Sequence, residues 1–289
     1  MSPLWTTWPA PAKLNLFLHI VGRRADGYHL LQTVFQLLDW GDSVHLRPRA
    51  DGAIVRTNEV PGVPVANDLG VRAAQLLREH TRTTAGADIR INKRIPLGGG
   101  LGGGSSDAAT VLVALNELWQ TRLSLEELAV LGLTLGADVP VFVRGHSAWA
   151  EGVGESLTPI DLPLRVFVIV DPGVQVSTKA LFAAAELTRN TAPATIGGYL
   201  SGMEATNAFA PVVRTRYARV AAAMDWLNQF GVARLSGSGG CVFVALESGE
   251  QADAVVRACP PEYRAYRAQG VSRSPLIDAL GAFRTNHLA

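Results

Sequence analysis

Six glycines stand within seven positions at residues 98–104, inside the stretch PLGGGLGGGSSD (residues 96–107). The chain then runs directly into AATVLVALNELW. Glycine loses more conformational freedom on ordering than any other residue, so a glycine run against a helix start needs a reason. Consecutive glycines let backbone N–H groups converge on one anion without Cβ interference, and a helix N-terminus behind them adds about half a positive charge. Ser105 and Ser106 add hydroxyls for a phosphate or a metal ion. The pattern reads as a triphosphate cradle. The bland alternative is a flexible linker, but linkers seldom join a strand directly to an amphipathic helix.

Two other phosphate loops compete with that reading. A Walker A loop ends in Gly-Lys-Ser/Thr; here Gly103 and Gly104 lead into Ser105 with no lysine, which excludes it. A dinucleotide fingerprint is formally present as Gly98, Gly100 and Gly103. Its helix should be followed by a strand ending in an acidic residue, whereas TRLSLEELAVLGL is another helical pattern. A dinucleotide-dependent oxidoreductase is the alternative from a different class.

Other residues could also carry chemistry, each with an ordinary use beside it. Only three of the 26 basic residues are lysines: Lys13, Lys93 and Lys179. Arginine-favouring codon usage explains most of this, but a retained lysine also marks places that need a compact point charge. Asp138, in LGADVPVF, suits a cap or Asx turn before Pro140. Tyr28 and His29, in DGYHLLQ, suit the aromatic and polar positions of a strand, and Lys93 suits a solvated rim.

Elements must position these groups. AKLNLFLHIVGRR alternates with period two, with Leu14, Leu16, Leu18 and Ile20 on one face and Lys13, Asn15, Phe17 and His19 on the other. Lys13 and Asn15 then lie side by side, roughly 7 Å apart by strand rise. Further strand pattern ends at Gly41-Asp42, and a helix capped by Asn67 or Asp68 follows. ADIRINKRI leads as a strand into the glycine loop, and the next helix takes Ser105 or Ser106 as its N-cap. Another helix starts at Ser124 and stops at Gly136, before a hairpin in HSAWAEGVGESLTPI. The second half opens with the strand LRVFVIVDPG. It continues through helices near TKALFAAAEL and YARVAAAMDWLNQFG, strand–turn–strand in ARLSGSGGCVFVAL, a helix in GEQADAVVRAC and a strand in YRAYRAQGVSR. The expected class is α+β in two domains, residues 1–160 and 161–289, with the site between them.

Composition bounds the function. The 289 residues, 48% hydrophobic and 18% charged, describe a globular chain. A net charge of +1 gives no reason to expect nucleic acid or a membrane surface. Cys241 and Cys259 form no framework and no metal spacing, which suits a reducing cytoplasm. The six histidines, from His19 to His287, show no zinc spacing. The start, MSPLWTTWPAPAK, lacks the basic and apolar regions of a signal peptide. No apolar stretch reaches the roughly 20 residues of a membrane helix. The expectation is a soluble cytoplasmic protein.

The stretch PLGGGLGGGSSDAA resembles the second motif of the GHMP kinases, the family of galacto-, homoserine, mevalonate and phosphomevalonate kinases. PAKLNLFLHIVGRRADGYH resembles the first motif and RLSGSGGCVFV the third. GADVPVFVRGHSAWAEGVGE and GYHLLQTVFQLLDWGD resemble one branch, whose acceptor is a cytidine diphosphate-linked polyol of the non-mevalonate isoprenoid route. The similarity runs in order from about Pro11 to Ala245. One departure is Gly240, where alanine is expected; glycine there should loosen the turn without removing chemistry.

The resemblance implies a nucleotide domain like the second domain of ribosomal protein S5 and a ferredoxin-like C-terminal domain. It implies in-line transfer of the ATP γ-phosphoryl to a substrate hydroxyl, with Mg²⁺ as the partner of ATP and Ser106 near it. ATP would lie against Lys93, Pro96, Leu97, Gly98, Gly99, Gly100, Leu101, Gly102, Gly103, Gly104, Ser105 and Ser106. Asp138 would be the base, with Lys13 beside it holding it ionised. Asn15, Tyr28, His29, Thr178 and Phe182 would bind the acceptor, Tyr28 and Phe182 walling the base and His29 reading its edge. A sister kinase acting on homoserine or mevalonate is the alternative within the family. The expected partners are small molecules, with no nucleic acid and no membrane.

Overall fold

Two long strands, β1 (Thr6–Arg23) and β2 (His29–Arg49), form an antiparallel hairpin that runs through both halves of the molecule. The computed structural model describes residues 4–204 and 206–287, so the first three residues of the start segment lie outside it. β1 does not keep the simple alternation its sequence predicts. Its register shifts between Pro11 and Lys13, between Asn15 and Leu18, and between Ile20 and Gly22. Residues 10–20 are all buried, because the face expected to be polar looks onto the rest of the protein instead of water.

In the first half, β2 also pairs with β4 (Gly86–Asn92), which pairs in parallel with β3 (Ile54–Arg56). The parallel pair is bridged by α1 (Leu69–Thr81), whose N-cap Asp68 accepts from the N–H groups of Gly70 and Val71, as expected. α2 (Gly103–Leu118) is apolar on nearly every side and buried from Ser106 to Asn116; such a helix belongs in a core. α3 (Leu125–Leu133) begins at Ser124 with a capping box to Glu127. α4 (Val139–Arg144) and the hairpin β5 (Ala148–Glu151) with β6 (Ser156–Pro159) complete this half.

The second half begins at β7 (Val166–Asp171) and passes through α5 (Thr178–Phe182), α6 (Ile196–Leu200), α7 (Ala210–Arg216) and α8 (Ala218–Leu227). Then come β8 (Arg234–Leu235), β9 (Val242–Leu246), α9 (Gly249–Arg257) and β10 (Arg264–Val271). Its strand order, β10-β7-β9-β8, with α8 and α9 as crossovers, is the ferredoxin-like arrangement. β10 reaches β2 through Gly270–Leu38 and Val271–Leu37, joining the two halves into one connected sheet.

A helix that the sequence reading passed over, α10 (Pro275–His287), follows β10. Leu276, Ile277 and Leu280 of α10 enter the core of the first half, with Phe35, Leu77, Leu112 and Phe142. A second core holds Val168, Phe209, Val220 and Val244, with Leu18 and Ile20 from the far end of β1. A third, with Leu14, Phe17, Leu38, Trp149, Phe167 and Phe243, lies where the halves meet. Two α+β halves sharing a packed seam agree with the expected class. Among the described residues no helix is long and apolar enough to cross a membrane.

Candidate active site

The glycine loop is sewn to both neighbouring motifs. Lys13 N–H donates to the Leu101 carbonyl (3.0 Å), Cys241 N–H to that of Gly99 (3.1 Å), and the Ser236 hydroxyl to that of Gly100 (2.9 Å). Neither Ser105 nor Ser106 caps α2, contrary to expectation; the N-cap is Gly102, at φ +74°. A Cβ there would lie 2.8 Å from the Phe142 ring and 3.1 Å from Lys13 Cε, so only glycine leaves room for the lysine stem. Before the loop and α2 lies a cavity of about 250 Å³, lined by Leu69, Lys93, Ile95, Pro96, Leu97 and the loop as far as Ser105. Ser106 is buried within the first turn, and its hydroxyl has no partner.

A second cavity, about 300 Å³, shares Gly98, Gly100 and Gly102 with the first and opens between the halves. Lys13 and Asp138 line this second cavity, with Lys13 against the shared glycines Gly100 and Gly102. The Lys13 ammonium lies 2.5 Å from Asn15 Oδ1, 3.1 Å from the Gly100 carbonyl and 3.2 Å from Asp138 Oδ2, above the Phe35 ring at 5.3 Å. Asn15 in turn donates to the Thr33 hydroxyl (2.9 Å), which donates to the Phe17 carbonyl. Asp138 begins α4, yet its side chain makes no capping bond. Its carboxylate keeps 31% of its surface open while the Lys13 side chain keeps 4%. A fixed ammonium beside an open carboxylate is suited to taking a proton from an alcohol and to stabilising charge on the oxygen left behind. A larger hollow, about 840 Å³, is lined by Leu4, Glu117, Phe283 and Arg284 and holds none of the expected residues.

Lys93 is neither a solvated rim charge nor an uncommitted cation. Its ammonium pairs with Asp42 and, at 2.8 Å, with Asp107. Asp42 also accepts the N–H groups of Arg94 and Ile95, at 2.5 and 2.8 Å. Burial pushes the Asp107 carboxyl up to about 8 against the pull of Lys93, with Asp42 adding to the rise. The sequence reading missed both aspartates, although Asp107 follows directly on the two serines it singled out. Lys179, the third lysine, is exposed on α5.

The expected acceptor residues are only partly brought together. Thr178 and Phe182 line the second cavity, and Thr178 bonds the Ser238 hydroxyl at 2.6 Å. His29 stacks on Phe182, centroids 4.6 Å apart and planes 16° off parallel. Burial, then Arg189 and Arg23, hold His29 below the ordinary imidazole range, and its Nε2 is buried without a partner. Tyr28 stands outside this group, 64% exposed. Gly240 does not loosen its turn: a Cβ there would meet the Val174 carbonyl at 2.2 Å, so the missing side chain admits a close backbone approach. Among the described residues no group of three His, Cys, Asp or Glu could hold a metal ion.

Comparison with known proteins bears on the same residues. The family models for the GHMP kinases' N-terminal and C-terminal domains match residues 68–146 and 184–265. The 4-diphosphocytidyl-2-C-methyl-D-erythritol kinase of Xanthomonas campestris pv. campestris (strain B100) is 57% identical over 284 residues, covering 98% of this chain and 96% of that one. Its namesake from Xanthomonas axonopodis pv. citri (strain 306) is 59% identical over 279 residues, covering 96% and 95%. A crystal structure of 4-(cytidine 5'-diphospho)-2C-methyl-D-erythritol kinase superposes with a TM-score of 0.79 at 33% identity, covering 92% of this chain and all of that one. The apparent dinucleotide fingerprint is therefore an accident of glycine density. With matched stretches that include the glycine loop, Asp138 and Phe243, the chain belongs to the GHMP kinase family and is a small-molecule kinase.

Proposed function

We propose that the chain transfers the γ-phosphoryl group of ATP to the 2-hydroxyl of 4-diphosphocytidyl-2-C-methyl-D-erythritol, releasing ADP. The observation that carries this reading is the Lys13–Asp138 pair in the inter-half cavity, with Lys13 bonded to Gly100 of the glycine loop. The relatives' names supply the acceptor.

Asp138, free of any capping bond, accepts the proton from the acceptor hydroxyl as its oxygen attacks the γ-phosphorus. The bond from that phosphorus to the β-phosphate oxygen breaks, and the electron pair leaves with ADP. Lys13 balances charge on the attacking oxygen and on the phosphoryl group in flight. The loop amides hold the triphosphate. Ser106, with its unpartnered hydroxyl, would hold Mg²⁺ arriving with ATP, and the ion would supply charge neutralisation on the phosphates. Phe182 offers a stacking face to the cytosine and neutral His29 a hydrogen bond to its edge, once the stack between them opens. Tyr28 closes over the other face, and Thr178 and Asn15 add hydrogen bonds. We assign the activity to the cytoplasm, where the free Cys241 and Cys259 stay reduced.

The test supplies ATP–Mg²⁺ with the cytidyl acceptor, homoserine and mevalonate in turn and follows ADP release. Turnover of the cytidyl acceptor alone is expected. Turnover of homoserine or mevalonate without the cytidyl acceptor overturns the acceptor while leaving the family intact.

A further inference from the structure

The guanidinium of Arg189 is spent on backbone. It forms no ion pair among the described residues; Nη2 donates to the carbonyls of Phe182 (2.9 Å) and Ala184 (2.6 Å), and Nη1 to that of Leu187 (2.9 Å). These carbonyls lie at the end of α5 and just beyond it, where a finished helix leaves acceptors without partners. α5 has five residues, far below the length that holds itself together in water. The Ser177 hydroxyl fixes its start by accepting from Ala180 N–H (3.3 Å), and Arg189 fixes its end.

Phe182 is the last residue of α5. Its ring lines the cavity between the halves, stacks on His29, and meets Phe209 edge-on at 5.0 Å and 83°. What clamps its backbone therefore sets the angle of the ring. A planar fork reaches three carbonyls at fixed angles, which a single ammonium does not.

We propose that Arg189 is a positioning residue for recognition of the acceptor's heterocycle: it touches no substrate but holds the Phe182 ring where a flat base stacks on it. This inference rests on the cytidyl reading of the cavity given above. A cation also suits the place for a second reason. Behind burial, which comes first, Arg189 and then Arg23 hold His29 below the ordinary imidazole range.

A kinetic double-mutant cycle on the intact chain, with Arg189→Met and Phe182→Ala, tests it. Methionine keeps an unbranched apolar stem and loses the fork. Arg189→Met should raise KM for the acceptor about tenfold, the scale of one base-stacking contact, with kcat and KM for ATP within about twofold. Added to Phe182→Ala, the same change should raise KM less than about twofold further, because the wall it positions is already gone. Independent multiplication of the two effects, or an equal rise in both KM values, overturns the proposal and makes Arg189 a residue of general stability. Should Arg189→Met fail to fold, Arg189→Lys enters the same cycle with the same expected KM, and a parent-like KM overturns the proposal. CMP binding measured by calorimetry separates the two levels of the argument. No binding by the parent chain removes the cytidyl reading itself, whereas equal binding by parent and variant removes only the role of Arg189.

Discussion

Lys13 and Lys93 both press against the glycine loop, and both are largely withdrawn from water. Lys13 touches the Gly100 carbonyl, and Lys93 Nζ lies 3.2 Å from where a Cβ on Gly103 would stand. Their counter-ions differ. The carboxylate beside Lys13 is 31% open, whereas those holding Lys93 are 0% and 6% open. An open carboxylate can take a proton from a molecule that arrives beside it, whereas a sealed one meets no such molecule. The same residue type thus faces an open carboxylate on one side of the loop and sealed ones on the other, which is the difference behind our reading of Lys13 as chemical and Lys93 as architectural.

The comparison breaks most visibly at Asp138. Asp138→Asn should lower kcat by about 10²–10⁴, the usual scale of general-base catalysis, with ATP affinity and melting temperature little changed. Near-full turnover would return Asp138 to an ordinary helix-start residue. Lys93→Met should show the reverse. It leaves the buried Asp42 carboxylate facing no cation, which costs about 3–5 kcal/mol, read as a lowered urea midpoint. An unmoved midpoint would erase the distinction between the two lysines.

Gly240→Ala sharpens the picture at the third glycine turn. Its Cβ would overlap the Val174 carbonyl, so a stability loss of about 1–3 kcal/mol is expected from overpacking. Denaturant unfolding measures it, and an unchanged midpoint would mean that the backbone of residue 174 gives way freely.

A pH-dependent effect concerns Asp107, whose carboxyl rises from its ordinary 3.8 to about 8 on folding. Between those values the folded chain holds a proton that the unfolded chain has released, so stability contributed by this group falls as pH rises. Asp107→Asn mimics the protonated acid and removes that slope. Melting temperatures of parent and variant should diverge in the variant's favour from pH 5 to about pH 8 and run parallel above it. Parallel curves throughout would show Asp107 ionised beside Lys93.

Local signals survived the passage from sequence to structure wherever the partner was near. The Ser124 start and the β5–β6 hairpin are each settled within a few residues and stand as read, and of the two caps offered for α1 the structure takes Asp68 over Asn67. The ferredoxin-like second half was an implication of the family resemblance, and the observed strand order agrees with it. The failures share a cause, which is crowding or pairing from far along the chain. Two serines looked better N-caps than Gly102 until Phe142 and Lys13 closed in on that position. The motif offered Lys93 either a nucleotide pocket or a solvated rim and could not show its ion pair, because Asp42 lies 51 residues earlier. The alternation in β1 hid three register shifts, since polar positions facing a cleft pattern like polar positions facing water. At the site, Lys13, Asn15 and Asp138 could be named from their motifs, but not that Tyr28 would stand apart while His29 took the place beside Phe182.

The helix α10 has a consequence for the order in which the protein is made. Leu276, Ile277 and Leu280 complete a core otherwise built from residues before position 160. At about 5–20 residues per second, the intervening chain takes on the order of ten seconds to synthesise. Throughout that interval the nascent first half carries an uncovered apolar face against β1 and α2. The second half waits in the same way, since β7 pairs with β10 only when that late strand has been made. The first half, earlier out of the ribosome, therefore closes its core only when α10 arrives from the end of the second half.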